Sequence, residues 1–382
     1  MAGRPRMIPG DVTITRIEAA TLRGTRPRVV GRNARLGVHG DRGSDPILRI
    51  HTSAGIAGWG WGRAKPDAAR PLLGRKLADL FDPATGTQPG FLDFDFPLWD
   101  LAGRVLGQSV HAMLGDAGSE AVPVYDGSIY FADLDPETGR DRGLGPILEA
   151  VKMGFAAGFR AFKAKIGRGH KWMEKQAGFA RDVAVLQAIR EVIGEDGTQL
   201  VDANNGYSPA DARELMRQAG DCRLHWFEEP FPEDKAACVA FRAFLREGGW
   251  GTLLADGEGS RRDEARFNAI VRAGGIDVVQ FDLRGYKLTP WRRYVDVLEQ
   301  AGALSAPHNW GSHLSGYYIA QFGRGCPRFA VGETDTMRVP EVDASGYRLV
   351  DGGMHVPEAP GFGLKLDAAA LRGKLEWAVE AG

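Results

Sequence analysis

The stretch Phe159-Arg-Ala-Phe-Lys163-Ala-Lys165-Ile-Gly167 carries the strongest structural signal in this chain of 382 residues. Its aromatic and β-branched residues, closed by a glycine, predict a β-strand. Side chains alternate along a strand, so Lys163 and Lys165 lie on the same face. If that face lines a barrel or a cleft, the two ammonium groups depress each other's pKa, and this supplies a neutral lysine base. The alternative is an exposed edge strand with two solvated lysines.

Short apolar runs alternate with amphipathic patterns from about residue 121 onward. Strands are predicted at 122–125, 161–166, 199–202, 224–228, 252–256, 277–282, 304–307 and 328–332. Helices are predicted at 175–192, 209–218, 234–245, 261–271 and 290–298. This alternation predicts an α/β fold in which a parallel sheet closes into a (β/α)₈ barrel. An open doubly wound sheet is the alternative, but the glycine-rich phosphate loop that usually follows its first strand is not visible here.

Residues 1–120 are predicted to form a separate α+β unit. It contains strands at 13–21, 46–52 and 55–61 and helices at 66–81 and 91–113. Residues 121–346 then form the barrel, and residues 347–382 are too few to fold alone and pack on an existing domain. Between Arg23 and Arg42, arginines are spread among glycines at positions 26, 28, 32 and 35. That segment is either a solvated loop or a flap that meets an anionic ligand.

Composition excludes several classes of protein. With 43% hydrophobic residues and a net charge of −1, the chain is typical of globular proteins and gives no electrostatic reason to expect nucleic acid or an anionic membrane. Three cysteines without metal-ligand spacing are typical of a reducing cytosol. No apolar run approaches the roughly 20 residues that span a bilayer. The start, residues 1–6, is not followed by an apolar signal core, so we expect a cytoplasmic protein.

Charged residues recur where the predicted strands end. In a barrel of this kind, chemistry gathers at the carboxyl ends of the strands. Those ends carry, in chain order, Lys165, Asp202, Glu228, Glu258, Asp282, His308 and Glu333. From Asp202 onward they are roughly 24 to 30 residues apart, about one βα unit each.

Three successive strand ends are acidic. Buried carboxylates repel one another unless a cation joins them, so Asp202, Glu228 and a third acid predict a hard metal ion, most plausibly Mg²⁺. The third acid is either Asp256 or Glu258. The absence of histidine and cysteine from this set disfavours zinc. Taken singly, each acid has the alternative role of a helix N-cap.

Asp282 and His308 end neighbouring predicted strands. Adjacent strand ends in a barrel are close enough for a hydrogen bond that fixes the imidazole tautomer and raises its basicity. The alternative for His308, which precedes Asn309 and Trp310, is a packing residue. Glu333 is expected to bond a ligand oxygen, with helix capping as its alternative.

In order along the chain, these motifs resemble the enolase superfamily, and specifically its mandelate racemase subgroup. The matching segments are the Lys-X-Lys strand, Asp202-Ala-Asn204, Glu228-Glu-Pro230, Gly257-Glu258 and the aspartate and histidine of successive strands. Phe94–Gly107, which includes the stretch Pro97–Gly103, resembles the last long helix of the family's capping domain, and Val122–Tyr125 resembles its entry into the barrel. The resemblance implies a modified enolase-type barrel with an N-terminal α+β capping domain that the C-terminal tail completes.

The resemblance also implies roles for the site residues. Lys165 is the base on one face of the substrate, and Lys163 lowers its pKa and contacts the substrate carboxylate. Asp202, Glu228 and Glu258 are implied to bind Mg²⁺. Asp282 and His308 are implied to act in catalysis from the opposite face of the substrate. Substrate binding is expected of Asn204, Arg284 and Glu333. Arg284 stands where the family often has paired glycines. The muconate-lactonising branch fits poorly, because it has a lysine at the position of Asp282.

The implied reaction is Mg²⁺-dependent removal of the proton next to a carboxylate, through an enediolate. We expect dehydration of a sugar acid to a 2-keto-3-deoxy acid, with racemisation or epimerisation of a 2-hydroxy acid as the alternative. Alternatives of other classes are a non-catalytic homologue that binds metal or sugar acid and a Schiff-base aldolase. The expected partner is a small-molecule carboxylate, without nucleic acid or membrane, and a homo-oligomer is expected.

Overall fold

An antiparallel sheet forms the first part of the molecule. The computed structural model describes residues 7–382, apart from the side chains of residues 261 and 262; the predicted non-signal start at residues 1–6 lies outside the described residues. The sheet contains β1 (Ile14–Val30), β2 (Gly40–Thr52) and β3 (Ala57–Trp61). Strand β1 is longer than predicted, because it pairs with β2 as far as Thr25↔Arg42 and Val30↔Gly40. The arginine-rich segment is therefore the distal part of a β-hairpin.

The two long helices predicted after this sheet are wrong in extent. The segment contains α1 (Pro66–Ala69), α2 (Leu77–Leu80), β4 (Phe81–Asp82), β5 (Gly86–Thr87), α3 (Asp95–Leu106) and α4 (Val110–Leu114), with 3₁₀ turns at Arg70–Leu72 and Pro89–Phe94. The first predicted helix is interrupted where Gly74 adopts a φ of +74°. The second ends where Gly107, at φ +65°, leaves the helical conformation and Ser109 caps a new helix.

A closed parallel barrel follows, as the alternating pattern predicts. Its elements are β6 (Ala121–Ile129), α5 (Gly145–Ala156), β7 (Ala161–Lys165), α6 (Lys175–Ile193), β8 (Thr198–Asp202), α7 (Pro209–Ala219), β9 (Leu224–Glu228), α8 (Lys235–Glu247), β10 (Leu253–Asp256), α9 (Glu264–Arg272), β11 (Val278–Val279), α10 (Leu283–Tyr286), α11 (Leu288–Ala301), β12 (Leu304–Ser305), α12 (His313–Gly325) and β13 (Gly332–Thr334). Strands β6 to β12 pair in sequence, and β13 pairs with β6 in parallel. The predicted eighth strand, 328–332, is shifted, since only an isolated bridge joins Ser305 to Phe329.

The barrel interior contains one apolar layer of side chains. We call it the lower layer: Tyr125, Ala161, Leu200, Trp226, Ala255, Val278, Ala306 and Val331. These residues come one from each strand or strand extension, as the alternation of inward and outward side chains requires. The lower layer fills the barrel, so a ligand has access only at the strand ends.

The last part of the chain contacts both halves of the molecule. It contains β14 (Val342–Asp343), β15 (Arg348–Val350), β16 (Gly353–His355), β17 (Lys365–Leu366) and β18 (Leu375–Glu380). Strand β18 pairs with β1 of the N-terminal sheet, whereas β16 pairs with the start of β6. The division at residues 120 and 346 stays a prediction. No helix among residues 7–382 combines the length and apolar character needed to cross a membrane.

Candidate active site

The register of the barrel brings the predicted charged residues together at the strand ends. Lys165 pairs with Asp202 across β7 and β8, and Asp202 pairs with Glu228 across β8 and β9. Lys163 is fully buried and Lys165 is only 4% exposed. The alternative of an exposed edge strand with solvated lysines is therefore wrong.

Carboxylates surround both lysines. The Lys163 Nζ lies 2.7 Å from Glu228 Oε1 and 2.9 Å from Glu333 Oε1. Lys165 Nζ forms an ion pair with Asp202. Burial alone lowers the pKa of an amine, but these carboxylates outweigh it and raise the pKa of both lysines. Lys163 does lower the pKa of Lys165, as expected for two neighbouring ammonium groups, but this effect is smaller than that of Asp202.

The structure separates the two candidates for the third acidic position. Ala255 belongs to the lower layer, so the next residue, Asp256, points out of the barrel. There, burial and the neighbouring Glu229 and Glu233 raise the pKa of Asp256. Glu258 instead lies in the site, where its Oε2 is 2.9 Å from Nε2 of His308. Geometry therefore favours Glu258 over Asp256.

The Asp282–His308 pair has the predicted geometry. The two residues form a parallel bridge, and His308 Nδ1 lies 3.1 Å from Asp282 Oδ2. Burial lowers the pKa of an imidazole, but Glu258, Glu333 and Asp282 together raise that of His308. Burial would raise the pKa of Asp282, yet its bond to His308 lowers it to about 2. Asp282 also caps α10 through its other oxygen, which accepts from Gly285 N at 2.7 Å. Asp282 thus caps a helix and pairs with His308 at the same time.

Glu333 connects the two sides of the site. One of its oxygens contacts Lys163, and the other accepts from the backbone N of Asn309 at 2.8 Å and lies 3.8 Å from His308 Nε2. Gly127 makes room for it, because a Cβ there would come within 2.4 Å of Glu333 Oε1. The alternative of helix capping for Glu333 finds no support in these contacts.

One residue that the sequence reasoning missed fixes a carboxylate of the site. Gln280 is buried and donates from Nε2 to Glu228 Oε2 at 2.8 Å. A signal for it exists in the sequence. Gln280 is a polar residue two positions before Asp282 in a predicted strand, so it shares the inward face with Asp282.

The two other residues predicted to bind substrate have different surroundings. Asn204 is buried, and its backbone N donates to Asp202 Oδ1 at 2.8 Å, while its amide lies 3.4 Å from Glu229 Oε2. It therefore holds Asp202 in place. Arg284 donates to the carbonyl of Trp310 and lies 3.6 Å from Asp282. Its Nε is buried without a hydrogen-bond partner, which leaves one donor for a ligand.

The hairpin arginines are engaged with the protein itself, in contrast to both sequence-based alternatives. Arg26 forms a bidentate ion pair with buried Asp335 at 2.8 and 2.7 Å. The remaining contacts are Arg28 to Asp126 at 3.0 Å, Arg32 to the carbonyl of Asp135 at 2.7 Å and Arg35 to that of Asn205 at 3.1 Å. These arginines fasten the hairpin to the barrel: Arg26 and Arg28 are paired with carboxylates, whereas Arg32 and the exposed Arg35 contact only carbonyl oxygens.

Aromatic rings form one wall of the site. Lys165 Nζ lies 5.1 Å from the centre of the Tyr130 ring. His39, from the end of the hairpin, packs edge-on against Tyr130 and Trp310, with ring centroids 4.8 and 5.3 Å away. The N-terminal sheet therefore reaches the barrel strand ends and contributes to the walls of the pocket.

The acidic residues fit a hard divalent cation by their donor chemistry. Among the described residues, no three histidine, cysteine, aspartate or glutamate side chains are clustered as a metal site; Asp202, Glu228 and Glu258 instead contact the lysines and His308. Burial and the nearby Asp202 raise the pKa of Glu228 to about 8. Burial is the larger cause and the negative charge of Asp202 the second, and a cation bound by these oxygens would relieve both. Such a cation also competes with the lysines for the carboxylates that raise their pKa.

Comparisons with known proteins identify a matching family model and a similar enzyme. The family model "Enolase C-terminal domain-like" matches residues 147–370. D-galactarolactone cycloisomerase of Agrobacterium fabrum is 27% identical over 365 residues, which cover 87% of this chain and 91% of that protein.

Two solved structures resemble the whole chain. Galacturonate dehydratase from Geobacillus sp., complexed with D-galacturonate and 5-keto-4-deoxy-D-galacturonate, has a TM-score of 0.89 at 33% identity, covering 97% of this chain and 100% of that one. A mandelate racemase/muconate lactonizing protein from Geobacillus sp. Y412MC10, complexed with magnesium and tartrate, has a TM-score of 0.91 at 32% identity, covering 98% of each chain. The (β/α)₈ prediction is thus confirmed.

Proposed function

This chain belongs to the enolase superfamily, and on that premise we propose that it is a Mg²⁺-dependent sugar-acid dehydratase. The observation that carries the proposal is that Lys165 and His308 face one cluster of carboxylates, in which Lys165 pairs with Asp202 and His308 Nε2 lies 2.9 Å from Glu258 Oε2. Lys165 and His308 come from non-adjacent strands, β7 and the end of β12, and each is held by its own aspartate. Two proton-transfer groups around one pocket suit a reaction in which one removes a proton and the other delivers one.

The first step is removal of the proton from the carbon next to the substrate carboxylate. Lys165 Nζ accepts that proton in its neutral form, which a cation held by Asp202 in place of the ion pair would favour. Lys163 donates to one oxygen of the substrate carboxylate, and Glu333 binds the other by donating a proton as a carboxylic acid. Asp202, Glu228 and Glu258 would hold Mg²⁺, which supplies Lewis-acid stabilisation of the enediolate charge when bound. Gln280 and Asn204 keep Glu228 and Asp202 oriented.

The second step is loss of the hydroxyl from the neighbouring carbon. His308 donates a proton to the leaving oxygen from Nε2, because its Nδ1 is hydrogen-bonded to Asp282. Water leaves and the resulting enol tautomerises to a keto-deoxy acid. Arg284, with its unpartnered Nε, is suited to bind a hydroxyl or carboxylate oxygen of the substrate.

The substrate class that we propose is the hexuronic acids, with aldonic and aldaric acids next. Support comes from the galacturonate dehydratase, which resembles this chain over nearly its whole length at 33% identity.

A screen of hexuronates, aldonates and aldarates with Mg²⁺, scored for keto-deoxy acid, tests this proposal. Formation of keto-deoxy acid that EDTA abolishes and Mg²⁺ restores is the expected result. Inversion without water loss would establish the racemase alternative instead. Absence of both turnover and α-proton exchange, with Mg²⁺ bound, would support a non-catalytic binding protein.

The proposal also includes the cellular location, the oligomeric state and the division into domains. We expect a cytoplasmic enzyme, in keeping with three buried, unpaired cysteines at positions 222, 238 and 326. We also expect a homo-oligomer, which analytical ultracentrifugation tests. Residues 1–120, 121–346 and 347–382 are the proposed capping domain, barrel and completing tail, and β18 paired with β1 supports the last assignment.

A further inference from the structure

A buried cluster of charged side chains lies directly behind the strand that carries Lys165. Its centre is Arg168, which has no exposed surface, as have Asp133 and Asp182. The Arg168 guanidinium contacts Asp133 with Nε and Nη2 at 2.9 and 2.8 Å, and contacts Asp182 with Nη1 at 2.6 Å. The mechanism proposed above uses none of these three residues.

The cluster fixes the backbone at the end of β7. Arg168 Nη1 donates to the carbonyl oxygen of Lys165 at 3.3 Å. Asp182 accepts from the backbone N of Gly167 at 2.8 Å and of Arg168 at 3.1 Å. Strand β7 ends at Lys165, the last hydrogen bond to the neighbouring strand is that of Ile166 N to the carbonyl of Asp202 at 2.9 Å, and Gly167 turns the chain with a φ of +94°. The hydrogen bonds of the cluster therefore take over where the sheet stops holding the backbone.

The same cluster also contacts the segment that carries Tyr130, the ring against which the Lys165 side chain lies. The face of Phe131 is 4.1 Å from the Arg168 guanidinium carbon, and Phe131 follows Tyr130 directly. Asp133 lies two residues further along this loop. Arg168 thus links the backbone of Lys165 to the segment that carries the Tyr130 ring.

A third connection runs to the metal side of the site. Tyr207 donates from its hydroxyl to Asp182 Oδ2 at 2.7 Å. Tyr207 belongs to the loop that follows Asp202 and Asn204. The strand end of the proposed base and the loop after a proposed metal ligand therefore share one buried carboxylate.

We infer that Arg168 is a positioning residue for Lys165, acting through the backbone of Gly167 and through the Tyr130–Asp133 loop. Buried ion pairs are weak contributors to stability, because desolvation of the charges offsets their attraction. Their value in this place is geometric. A lysine side chain is flexible, and proton transfer requires the amine within reach of one substrate hydrogen, so a small displacement of its backbone is costly. This inference rests on the proposed function of Lys165.

The test compares Arg168→Lys with Arg190→Lys. Arg190 is a matched control at the opposite end of the barrel, where it donates to the carbonyls of Cys222, Gly194 and Gly197 at 2.8, 2.7 and 2.7 Å. In Arg168→Lys we expect kcat and α-proton exchange to fall by about 10- to 100-fold with KM within about threefold. Arg190→Lys should lose a similar amount of thermal stability and keep kcat within about twofold.

Arg168→Lys that folds and retains wild-type kcat and exchange would overturn the inference. If that variant does not fold, Tyr207→Phe replaces it, since it removes one of the four hydrogen bonds to Asp182 and leaves every charge paired. We then expect a kcat lowered by about 3- to 10-fold at constant KM, and an unchanged kcat contradicts the inference.

Failure of the proposed function gives a different result. If the wild-type protein catalyses neither turnover nor exchange, a crystal structure of Arg168→Lys becomes the readout. Displacement of Lys165 Nζ by about 1 Å or more from its place over Tyr130 supports the positioning role. An unmoved Lys165 overturns it.

Discussion

Two successive layers inside the same barrel carry opposite chemistry. The lower layer is almost wholly apolar. Two positions further along each strand lies what we call the upper layer: Gly127, Lys163, Asp202, Glu228, Gly257, Gln280, His308 and Glu333. Lys165 and Asp282 lie two residues further along their strands than the upper-layer residues Lys163 and Gln280. The step of two follows from the alternation of side chains along a strand, so the barrel geometry alone sets the separation.

The contrast shows how stability and chemistry are divided within one fold. The lower layer closes the barrel and excludes water from below, which strengthens every electrostatic interaction above it. The upper layer places charges where only other charges and hydrogen bonds compensate them, as the raised pKa of Glu228 shows. We therefore expect substitutions in the upper layer and beyond it to impair activity, and those in the lower layer to impair stability.

The largest effect is expected beyond the upper layer, in Lys165→Met. Loss of the base should lower kcat by about 10³- to 10⁴-fold, because Lys163, the neighbouring amine, is held by Glu228 and Glu333. Steady-state kinetics on the sugar acid identified by the screen measures this. Circular dichroism should match wild type, and calorimetric Mg²⁺ affinity should be equal or higher, because the cation no longer competes with Lys165 for Asp202. A kcat within tenfold of wild type would reject Lys165 as the base.

His308→Asn should have the next largest effect. Keto-deoxy acid formation is expected to fall by about 10²- to 10³-fold, since the asparagine cannot donate a proton to the leaving hydroxyl. Product is quantified by chromatography and mass spectrometry. Asp282→Asn is the paired variant and should show a smaller loss in the same assay, because it disturbs only the orientation of the imidazole. Equal activity of His308→Asn and wild type would contradict the dyad assignment.

Gln280→Leu tests a residue of the upper layer whose side-chain amide bonds Glu228, a proposed metal ligand. Without the amide donor, Glu228 Oε2 loses its 2.8 Å hydrogen bond, and we expect Mg²⁺ affinity to fall by about 10-fold. Isothermal titration calorimetry with Mg²⁺ alone gives this value without reference to turnover. If the Mg²⁺ affinity of the variant equals that of wild type, Gln280 does not contribute to the metal site.

Val278→Ala, in the lower layer, should have the smallest effect on catalysis. Removal of two buried methyl groups costs about 1–3 kcal/mol in the free energy of unfolding, and kcat should stay within about twofold of wild type. Urea unfolding and steady-state kinetics on the same preparation measure both. A loss of activity without a loss of stability would break the proposed division between the layers.

The sequence is sufficient to predict the barrel and most of its charged end, because both depend on a period of one βα unit and on strand alternation. It also places Asp282 beside His308, and the structure bears out that contact at 3.1 Å. The third acid is undecidable from spacing alone, since Asp256 and Glu258 differ by one strand step. The inward direction of Ala255 turns Asp256 out of the barrel, and the chain turns at Gly257, with a φ of +130°, so that Glu258 contacts His308.

Other features depend on tertiary contacts that no local pattern encodes. The hairpin arginines look like an anion-binding flap in sequence, yet Arg26 pairs with Asp335 more than 300 residues away. The pKa of the lysines depends on how many carboxylates converge on them, and the Lys-X-Lys motif by itself predicts the opposite shift. Arg168 follows the motif closely, but its role becomes visible only when Asp133 and Asp182 are brought against it.

The most direct test of the central claim is α-proton exchange in D₂O, followed by NMR, with wild type, Lys165→Met and His308→Asn on the same sugar acid. If Lys165 removes the proton and His308 expels the hydroxyl, His308→Asn exchanges the α-proton without forming product, and Lys165→Met does neither. Exchange that persists in Lys165→Met, or that disappears in His308→Asn while Lys165→Met retains it, would contradict the assignment of the two roles.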